Sequence, residues 1–212
     1  MRITLFGATG RPGSHILTQA LEAGHEMTVL VRTPAKLGDA AGKVDVVAGD
    51  LMDGAAVEQA VAGAEAVIMA AGPVKSSPPG FLETVATHVV SGMRQHGSSR
   101  LVWLTGAGVL DERDEPSVSR GLIRGLMKLV AGKVLAGSER AYEVVKSSGL
   151  DYTIVRPPML ADEPGGRELE AGYAPPRPIP VGRADLAGFL LRAAAEDTYA
   201  GESPLIGYRE RG

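Results

Sequence analysis

The sequence predicts an α/β fold, a doubly wound parallel sheet between two layers of helices, on three observations. Short apolar runs alternate with helix-periodic segments along the whole chain. Several runs, such as A-E-A-V-I-M-A at 64–70, are apolar almost throughout, as a strand covered on both faces must be. The first run, R-I-T-L-F at 2–6, breaks into glycines at three-residue intervals, Gly7, Gly10 and Gly13, directly before a helical stripe. A chain of 212 residues suffices for a single domain of this kind, spanning 1–212, with a substantial core.

In the opening unit, Gly7 lets the chain leave the strand sharply, Gly10 clears the backbone for a pyrophosphate, and Gly13 permits close packing of helix on sheet. Pro12 suits a first helical turn, whose N–H groups lack intrahelical partners and are open to an anion. The spacing G-x-x-G-x-x-G departs from the G-x-G-x-x-G of many dinucleotide sites. Ile16, Leu17, Ala20 and Leu21 form the helix's apolar stripe, and Gly24 stops it. The second strand, 27–31, ends at Arg32-Thr33-Pro34. At that position a carboxylate accepts from a ribose 2′-hydroxyl, whereas an arginine accommodates a 2′-phosphate. Arg32, with the Thr33 hydroxyl beside it and no competing Asp or Glu, points to NADP(H) in preference to NAD(H).

The third strand, 44–48, runs into Gly49-Asp50-Leu51. Asp50 is placed to accept from an adenine amino group with Leu51 against the ring, or to cap the turn or the helix near 55–61. The fourth strand, 64–70, gives way to Ala71-Gly72-Pro73, small residues that let a cofactor lie against the backbone, and 74–80 reads as an exposed loop. A helix over 81–96 turns Leu82, Val85, Val89 and Met93 inward. His88 and His96 have no H-E-x-x-H motif around them and read as surface or helix-end groups, so no metal is expected.

The fifth strand, 101–104, ends in Thr105-Gly106-Ala107-Gly108, and the charged segment 111–120 after it is expected to be mobile. Two helices, 122–130 and 134–147, are separated near Gly132. The sixth strand, 152–156, ends at Pro157-Pro158. Segment 160–182, rich in Gly and Pro, is expected to hold no regular element. A helix over 185–195 and a short strand over 205–208 close the chain. Gly7, Arg32, Asp50, Ala71, Gly72, Thr105 and Pro157 all follow strands, so they share the carboxyl rim where such sheets bind ligands, with loops 106–120 and 160–182 on the substrate side.

Acidic and basic residues are interspersed, with a net charge of −3, so nothing marks a nucleic-acid or anionic-membrane partner. The lack of cysteine excludes disulfides, thiolate metal sites and cysteine nucleophiles. With no leader pattern and no apolar run of membrane-spanning length, a cytoplasmic protein is expected, monomer or dimer.

In this order the motifs resemble the atypical short-chain dehydrogenase/reductase group of single-domain NAD(P)H-binding proteins: G-A-T-G-R-P-G (7–13), V-L-V-R-T-P-A-K-L (29–37), V-V-A-G-D-L (46–51), L-V-W-L-T-G-A-G (101–108) and S-G-L-D-Y-T-I-V-R-P-P (148–158). Within the group the chain is most similar to the biliverdin-IXβ reductase/flavin reductase branch, and more loosely to NmrA-like redox sensors. The resemblance implies a Rossmann-type sheet. It also implies Gly7, Thr9, Gly10, Arg11 and Gly13 at the pyrophosphate, Arg32 and Thr33 at the 2′-phosphate, and Asp50 and Leu51 at the adenine. Ala71, Gly72, Thr105 and Pro157 would line the ribose and nicotinamide, and Pro12 and Gly106 belong to the same two cofactor-side turns. Where that branch has a serine after the threonine this chain has Gly106, and its histidine after Pro-Pro is Met159. Both departures speak against biliverdin as substrate.

Tyr142 and Lys146 form a Tyr-x-x-x-Lys pair on one helix face. In catalytic short-chain dehydrogenases the lysine lowers the tyrosine's pKa, so that the phenol exchanges a proton with a carbonyl or alcohol. Counted back from Ser148-Gly149, the family's pair falls two turns earlier, near Val134 and Ser138. Tyr142 and Lys146 therefore read as a coincidental surface pair in preference to an acid catalyst. Thr105 is the other candidate hydroxyl for the nicotinamide, equally readable as a strand-end threonine bonded to backbone. The expected function is NADPH-dependent hydride transfer to a planar conjugated small molecule, a flavin or a quinone. The alternatives are a non-catalytic NADP(H) redox sensor that signals to a protein partner, and a sugar-nucleotide epimerase or dehydratase, for which the region after the sixth strand is short.

Overall fold

Six strands, β1 (Arg2–Phe6), β2 (Glu26–Val31), β3 (Asp45–Ala48), β4 (Ala66–Met69), β5 (Arg100–Leu104) and β6 (Asp151–Val155), form one parallel sheet in the order β3-β2-β1-β4-β5-β6. The computed structural model describes residues 1–163, 165–177, 179–196 and 199–209. Ile3 pairs with Met27 on one side and Ala66 on the other, so β1 is central. The sheet is laid outward from β1 first through β2 and β3, then through β4, β5 and β6. This reversal opens a crevice above the carboxyl ends of β1 and β4.

Alternation along β1 sends side chains to opposite faces. Ile3 and Leu5 pack with Ile16 and Leu17 of α1 (Arg11–Glu22) and Leu190 of α5 (Arg183–Ala195). Phe6 packs with Val57 of α2 (Gly54–Val61) and with Val89 and Met93 of α3 (Phe81–Gln95). The same side carries α4 (Val118–Lys146), whose Ala141, Tyr142 and Val145 join that cluster. The three-layer arrangement is the one the sequence predicts.

The two helices expected on either side of Gly132 are present within α4, separated by non-helical backbone at Ala131 (φ −134°, ψ 29°); the side chains of most of the apolar stretch 122–130 lie outside the described residues. Three local expectations change. The cap of α2 is Asp53, whose Oδ1 accepts from Ala55 N at 3.0 Å and Ala56 N at 3.4 Å, while Asp50 caps the turn before it, its Oδ1 accepting from Met52 N at 2.9 Å. Segment 160–182 does hold regular structure: β7 (Leu160–Ala161) pairs parallel with β9 (Val181–Gly182), and β8 (Leu169–Gly172) pairs antiparallel with β10 (Leu205–Tyr208). Distant partners supply those hydrogen bonds, which local composition does not encode; Pro164 and Pro178 lie outside the described residues.

Finally, the charged stretch after β5 is anchored over its first half, at Asp111, Asp114 and Glu115, whose N–H donates to Tyr173 O at 3.0 Å. Arg156, at the end of β6 and 0% exposed, bonds Asp114 through Nη2 at 2.7 Å and Nη1 at 2.9 Å, Val109 O at 2.8 Å and Ser203 O at 2.7 Å. Every nitrogen of its guanidinium is occupied, which offsets the cost of burying the charge. Among the described residues no helix is long and apolar enough to cross a membrane, and no cluster of metal-ligating side chains occurs.

Candidate functional site

The glycine turn joins β1 to α1 through backbone contacts that a side chain would block. Gly7 takes φ +91°, and a Cβ there would meet Ala71 N at 2.7 Å. A Cβ on Gly13 would sit 1.9 Å from Gly7 O. The turn itself is closed by Gly10 N donating to Gly7 O at 2.8 Å. Gly13 is therefore a packing glycine beneath the turn, while Gly7 and Gly10 face the crevice.

The crevice is a cleft of about 780 Å³. Arg32 and Lys36 stand at one end, Gly7, Thr9, Gly10, Arg11 and Pro12 form its floor with Ala71 and Gly72, and Trp103, Thr105, Gly106, Ser138, Leu160 and Arg183 surround the other end. A recess of about 110 Å³ adjoins it, walled by Leu30, Arg32, Gly49, Asp50, Leu51 and Phe81 among others. The structure thus brings Gly7, Thr9, Gly10, Arg11, Pro12, Arg32, Asp50, Leu51, Ala71, Gly72, Thr105 and Gly106 together from five strand ends. Pro157 is buried behind them, its carbonyl accepting from Ala107 N at 2.9 Å, so it supports the 106–108 turn. Thr33 is exposed beside Arg32 and outside the cleft lining.

Four cationic side chains, Arg11, Arg32, Lys36 and Arg183, line the cleft, and among the described residues no carboxylate, imidazole or phenol does. A low-dielectric groove of one sign concentrates anions. The glycine turn, the open helix N-terminus and these cations together fit a dinucleotide with its phosphates toward Arg11 and Arg32. Arg32 is not free of carboxylate competition, contrary to the sequence expectation: its Nε lies 3.9 Å from Asp50 Oδ2. The two residues are far apart in sequence, and only the adjacency of β2 and β3 brings them together. Asp50 Oδ1 accepts from Met52 N at 2.9 Å, which orients it within the recess.

Tyr142 and Lys146 do not line the cleft, and Tyr142 is no surface residue. Its hydroxyl donates to Asp111 Oδ2 at 2.5 Å within the buried layer, while Lys146 Nζ donates to Glu112 at 3.0 Å. Burial, and then the hydrogen bond to Asp111, push the Tyr142 phenol up to about 12, the opposite of what acid–base catalysis at neutral pH needs. Burial alone would raise the Asp111 carboxyl, but bonds from Arg113 and Tyr142 outweigh it and hold it well below the usual carboxylate range. Of the two positions counted back from Ser148-Gly149, Ser138 lines the cleft, with its hydroxyl donating to Val134 O at 3.0 Å, and Val134 does not. Thr105 N donates to Val155 O at 3.0 Å, and its hydroxyl has no hydrogen bond to a described residue.

Sequence reasoning missed Lys36, Trp103, Leu160 and Arg183 as lining residues; Leu82, expected on the buried side of its helix, packs against the core and also reaches the cleft. Lys36 had a signal, four residues beyond Arg32 in R-T-P-A-K. Arg183 had none, because the pairing of β7 with β9 is what carries it to the rim. His88 is half-buried behind the recess, its Nδ1 3.2 Å from Leu51 O, and His96 ends α3 beside Glu58 as expected of a helix-end group.

A family described as NAD(P)H-binding matches residues 7–197. An uncharacterised chloroplastic protein of Arabidopsis thaliana is 25% identical over 186 residues, covering 81% of this chain and 57% of its own length. The chain therefore spans little more than half of that curated relative. Among solved structures, ChuY, an anaerobillin reductase from Escherichia coli O157:H7, superposes with a TM-score of 0.83 at 21% identity over 100% of this chain and 99% of that one. A putative NAD-dependent epimerase/dehydratase from Bacillus halodurans superposes at 0.78 with 22% identity over 99% and 95% of the two chains. At those identities the likeness is one of fold.

Proposed function

The chain belongs to this NAD(P)H-binding family, and we propose that within it the protein is an NADPH-dependent reductase of a planar conjugated acceptor, a flavin or a quinone. The observation that carries the proposal is the composition of the cleft: a phosphate-binding end continuous with a second end that offers hydroxyls but no carboxyl, imidazole or phenol to act as a general acid. A ring system that delocalises the incoming electron pair takes a hydride without such an acid, whereas an isolated carbonyl does not. ChuY, a reductase on the same fold, is consistent with this use of the crevice.

When bound, the dinucleotide supplies a hydride, two electrons and one proton, and solvent supplies the second proton. The chain's own groups hold and align. The Gly7–Gly10 backbone and Arg11 take the pyrophosphate, and the Asp50–Leu51 recess takes the adenine. Arg32 and Lys36 take the 2′-phosphate, which is the basis for NADP(H) over NAD(H). The Arg32–Asp50 pair is exposed and long at 3.9 Å, so it is worth about 0–1 kcal/mol and gives way to a phosphate. Thr105, with an unused hydroxyl, is the donor for the nicotinamide end, and Trp103 and Leu160 keep water from the stacked rings.

The test is NADPH and NADH oxidation with a flavin and a quinone, on protein whose cofactor binding is confirmed by nicotinamide fluorescence. Saturable oxidation with NADPH favoured about tenfold or more over NADH is expected. Binding without oxidation of either acceptor class would replace the reductase by the sensor reading, and failure to bind would remove the glycine turn as a dinucleotide site.

A further inference from the structure

The dinucleotide accounts for Arg11, Arg32 and Lys36, which follow β1 and β2. Arg183 belongs to the segment after β6, across the sheet order from them, and the alignment described above does not use it.

Its pairing is incomplete in a way that the other buried arginines are not. Arg100 and Arg156 have every guanidinium nitrogen bonded: Arg100 through Nε to Ala193 O, Nη1 to Asp151 O and Nη2 to Thr153, and Arg156 to Ser203, Val109 and Asp114. Neither lines the cleft. The side chain of Arg183 is only 12% exposed, yet Nε is buried without a partner and Nη2 reaches Leu160 O only at 3.5 Å. Its one good bond is Nη1 to Asp162 Oδ1 at 2.6 Å. The Nε/Nη2 edge, the edge that forms two parallel bonds to a carboxylate or phosphate, therefore has no anion on it. A buried donor on a charged group without an acceptor is a cost to the fold unless another ligand satisfies it. Asp162 is 63% exposed, so the one bond that holds the guanidinium opens to solvent on its far side. Apart from Asp162 on the guanidinium itself, no carboxylate among the described residues lines this end of the cleft.

From this geometry we propose that Arg183 binds an anionic substituent, a carboxylate or phosphate, on the planar acceptor, and that Asp162 is the internal carboxylate the acceptor displaces. The proposal names the substrate class for the reductase reading above and rests on it. Acceptor exchange for Asp162 frees the guanidinium to turn its Nε/Nη2 edge, which holds only the long bond to Leu160 O, to the cleft that it lines.

FMN and riboflavin test this, because they share one ring system and differ by a phosphate; a carboxylated and a neutral naphthoquinone form the second pair. Binding to NADP⁺-loaded protein is read from the fluorescence of Trp103, the sole tryptophan, which lines the cleft, and KM is read separately in turnover. Wild type is expected to bind the anionic member of each pair about tenfold more tightly. Arg183→Gln should lose that preference while affinity for the neutral member stays within about twofold, and Arg183→Lys should keep part of it. Asp162→Asn should move the other way and tighten the anionic member about threefold, a sign that a merely structural role for the pair does not produce. Unchanged NADP⁺ affinity verifies that each variant is folded. Equal binding of charged and neutral members by wild type, or loss of both in Arg183→Gln, overturns the assignment. Turnover without charge discrimination sinks the anion site and leaves the reductase standing, whereas discrimination in binding with no turnover supports the anion site and sinks the reductase.

Discussion

Replacing Tyr142 with phenylalanine separates the two roles that a Tyr-x-x-x-Lys pair can have. The substitution removes one oxygen and leaves the ring's packing against the α2–α3 side of the sheet intact. What is lost is the donor to Asp111 Oδ2, on a carboxylate whose side chain is 0% exposed. Asp111 keeps Arg113 N at 2.8 Å and Arg113 Nε at 3.0 Å on Oδ1, but Oδ2 is left with Arg113 Nη2 at 3.3 Å. Hydrogen bonds to charged groups are worth about 1.5–3 kcal/mol, and with one weak donor remaining the expected loss is about 2 kcal/mol, about thirtyfold in the unfolding equilibrium. Urea unfolding at neutral pH reads it as a lower midpoint at unchanged slope. The pH dependence follows from the two shifts. Asp111 is depressed in the folded state, so its contribution is complete above the unfolded value of 3.8 and fades as the pH falls through the lower folded value. The Tyr142 phenol is raised, so its contribution is complete below 10.0 and is lost as the pH climbs through about 12. The gap between wild type and Tyr142→Phe should thus be flat across neutral pH and close at both extremes. The rate of NADPH oxidation by the folded variant should stay within about twofold, since the phenol is not in the cleft. A large fall in kcat at undiminished stability would refute this assignment and return Tyr142 to acid catalysis.

Gly13→Ala places a Cβ 1.9 Å from Gly7 O, so the turn must move: about 1–3 kcal/mol of stability and at least about tenfold in NADPH affinity should be lost together, seen in urea unfolding and fluorescence titration. Arg32→Ala should raise the KM for NADPH about tenfold or more and leave that for NADH nearly unchanged; equal effects on both cofactors would remove the arginine from the 2′-phosphate. Arg156→Met takes both guanidinium bonds and the countercharge from the buried Asp114 carboxylate, which keeps Asp111 N at 2.7 Å on Oδ2, and should cost about 3–5 kcal/mol in urea unfolding, far more than removal of any exposed pair. Asp53→Ala should lower stability by about 1 kcal/mol through loss of the α2 cap, while Asp50→Ala should leave unfolding nearly unaltered and show its effect in cofactor affinity.

The parts of this molecule that were legible in its sequence are those that local physics decides. The six strands announce themselves because a doubly covered strand must be apolar, and the glycine turn because backbone contacts at Gly7 and Gly13 exclude a side chain. The rim residues then follow from topology alone, since a parallel sheet sets all its carboxyl ends on one side. What stayed hidden depends on partners distant in the chain. Asp50 meets Arg32 only through the β2–β3 pairing, Asp111 meets Tyr142 only through the fold of the β5–α4 connection, and Arg183 reaches the cleft only because β9 pairs with β7. Charge in a sequence marks an exposed segment by default. Here that default fails at Asp111 and Asp114, whose side chains are buried against Arg113 and Arg156, while Glu112 and Arg113 between them stay exposed.

That failure has a consequence for how the cleft works. The two substrate-side loops are held by different chemistry. Within segment 106–120, Val109 to Asp114 are fastened by Arg156 with all its nitrogens bonded and by the Asp111–Arg113–Tyr142 group, interactions whose rupture leaves charge with fewer partners away from water. Around the cleft-side end of 160–182, Arg183 meets Asp162 in a pair open to solvent on the carboxylate side, and such a pair exchanges partners at small cost because water takes over the released carboxylate. The wall formed by Thr105 and Gly106 is therefore the rigid one, suited to fixing the plane against which an acceptor is aligned, and the wall formed by Leu160 and Arg183 is the one that adjusts. On the proposed reductase reading, an acceptor's ring would meet the first and its substituents the second, so substitutions in 106–120 are expected to act on stability and alignment, and substitutions at Asp162 and Arg183 on which acceptor is taken.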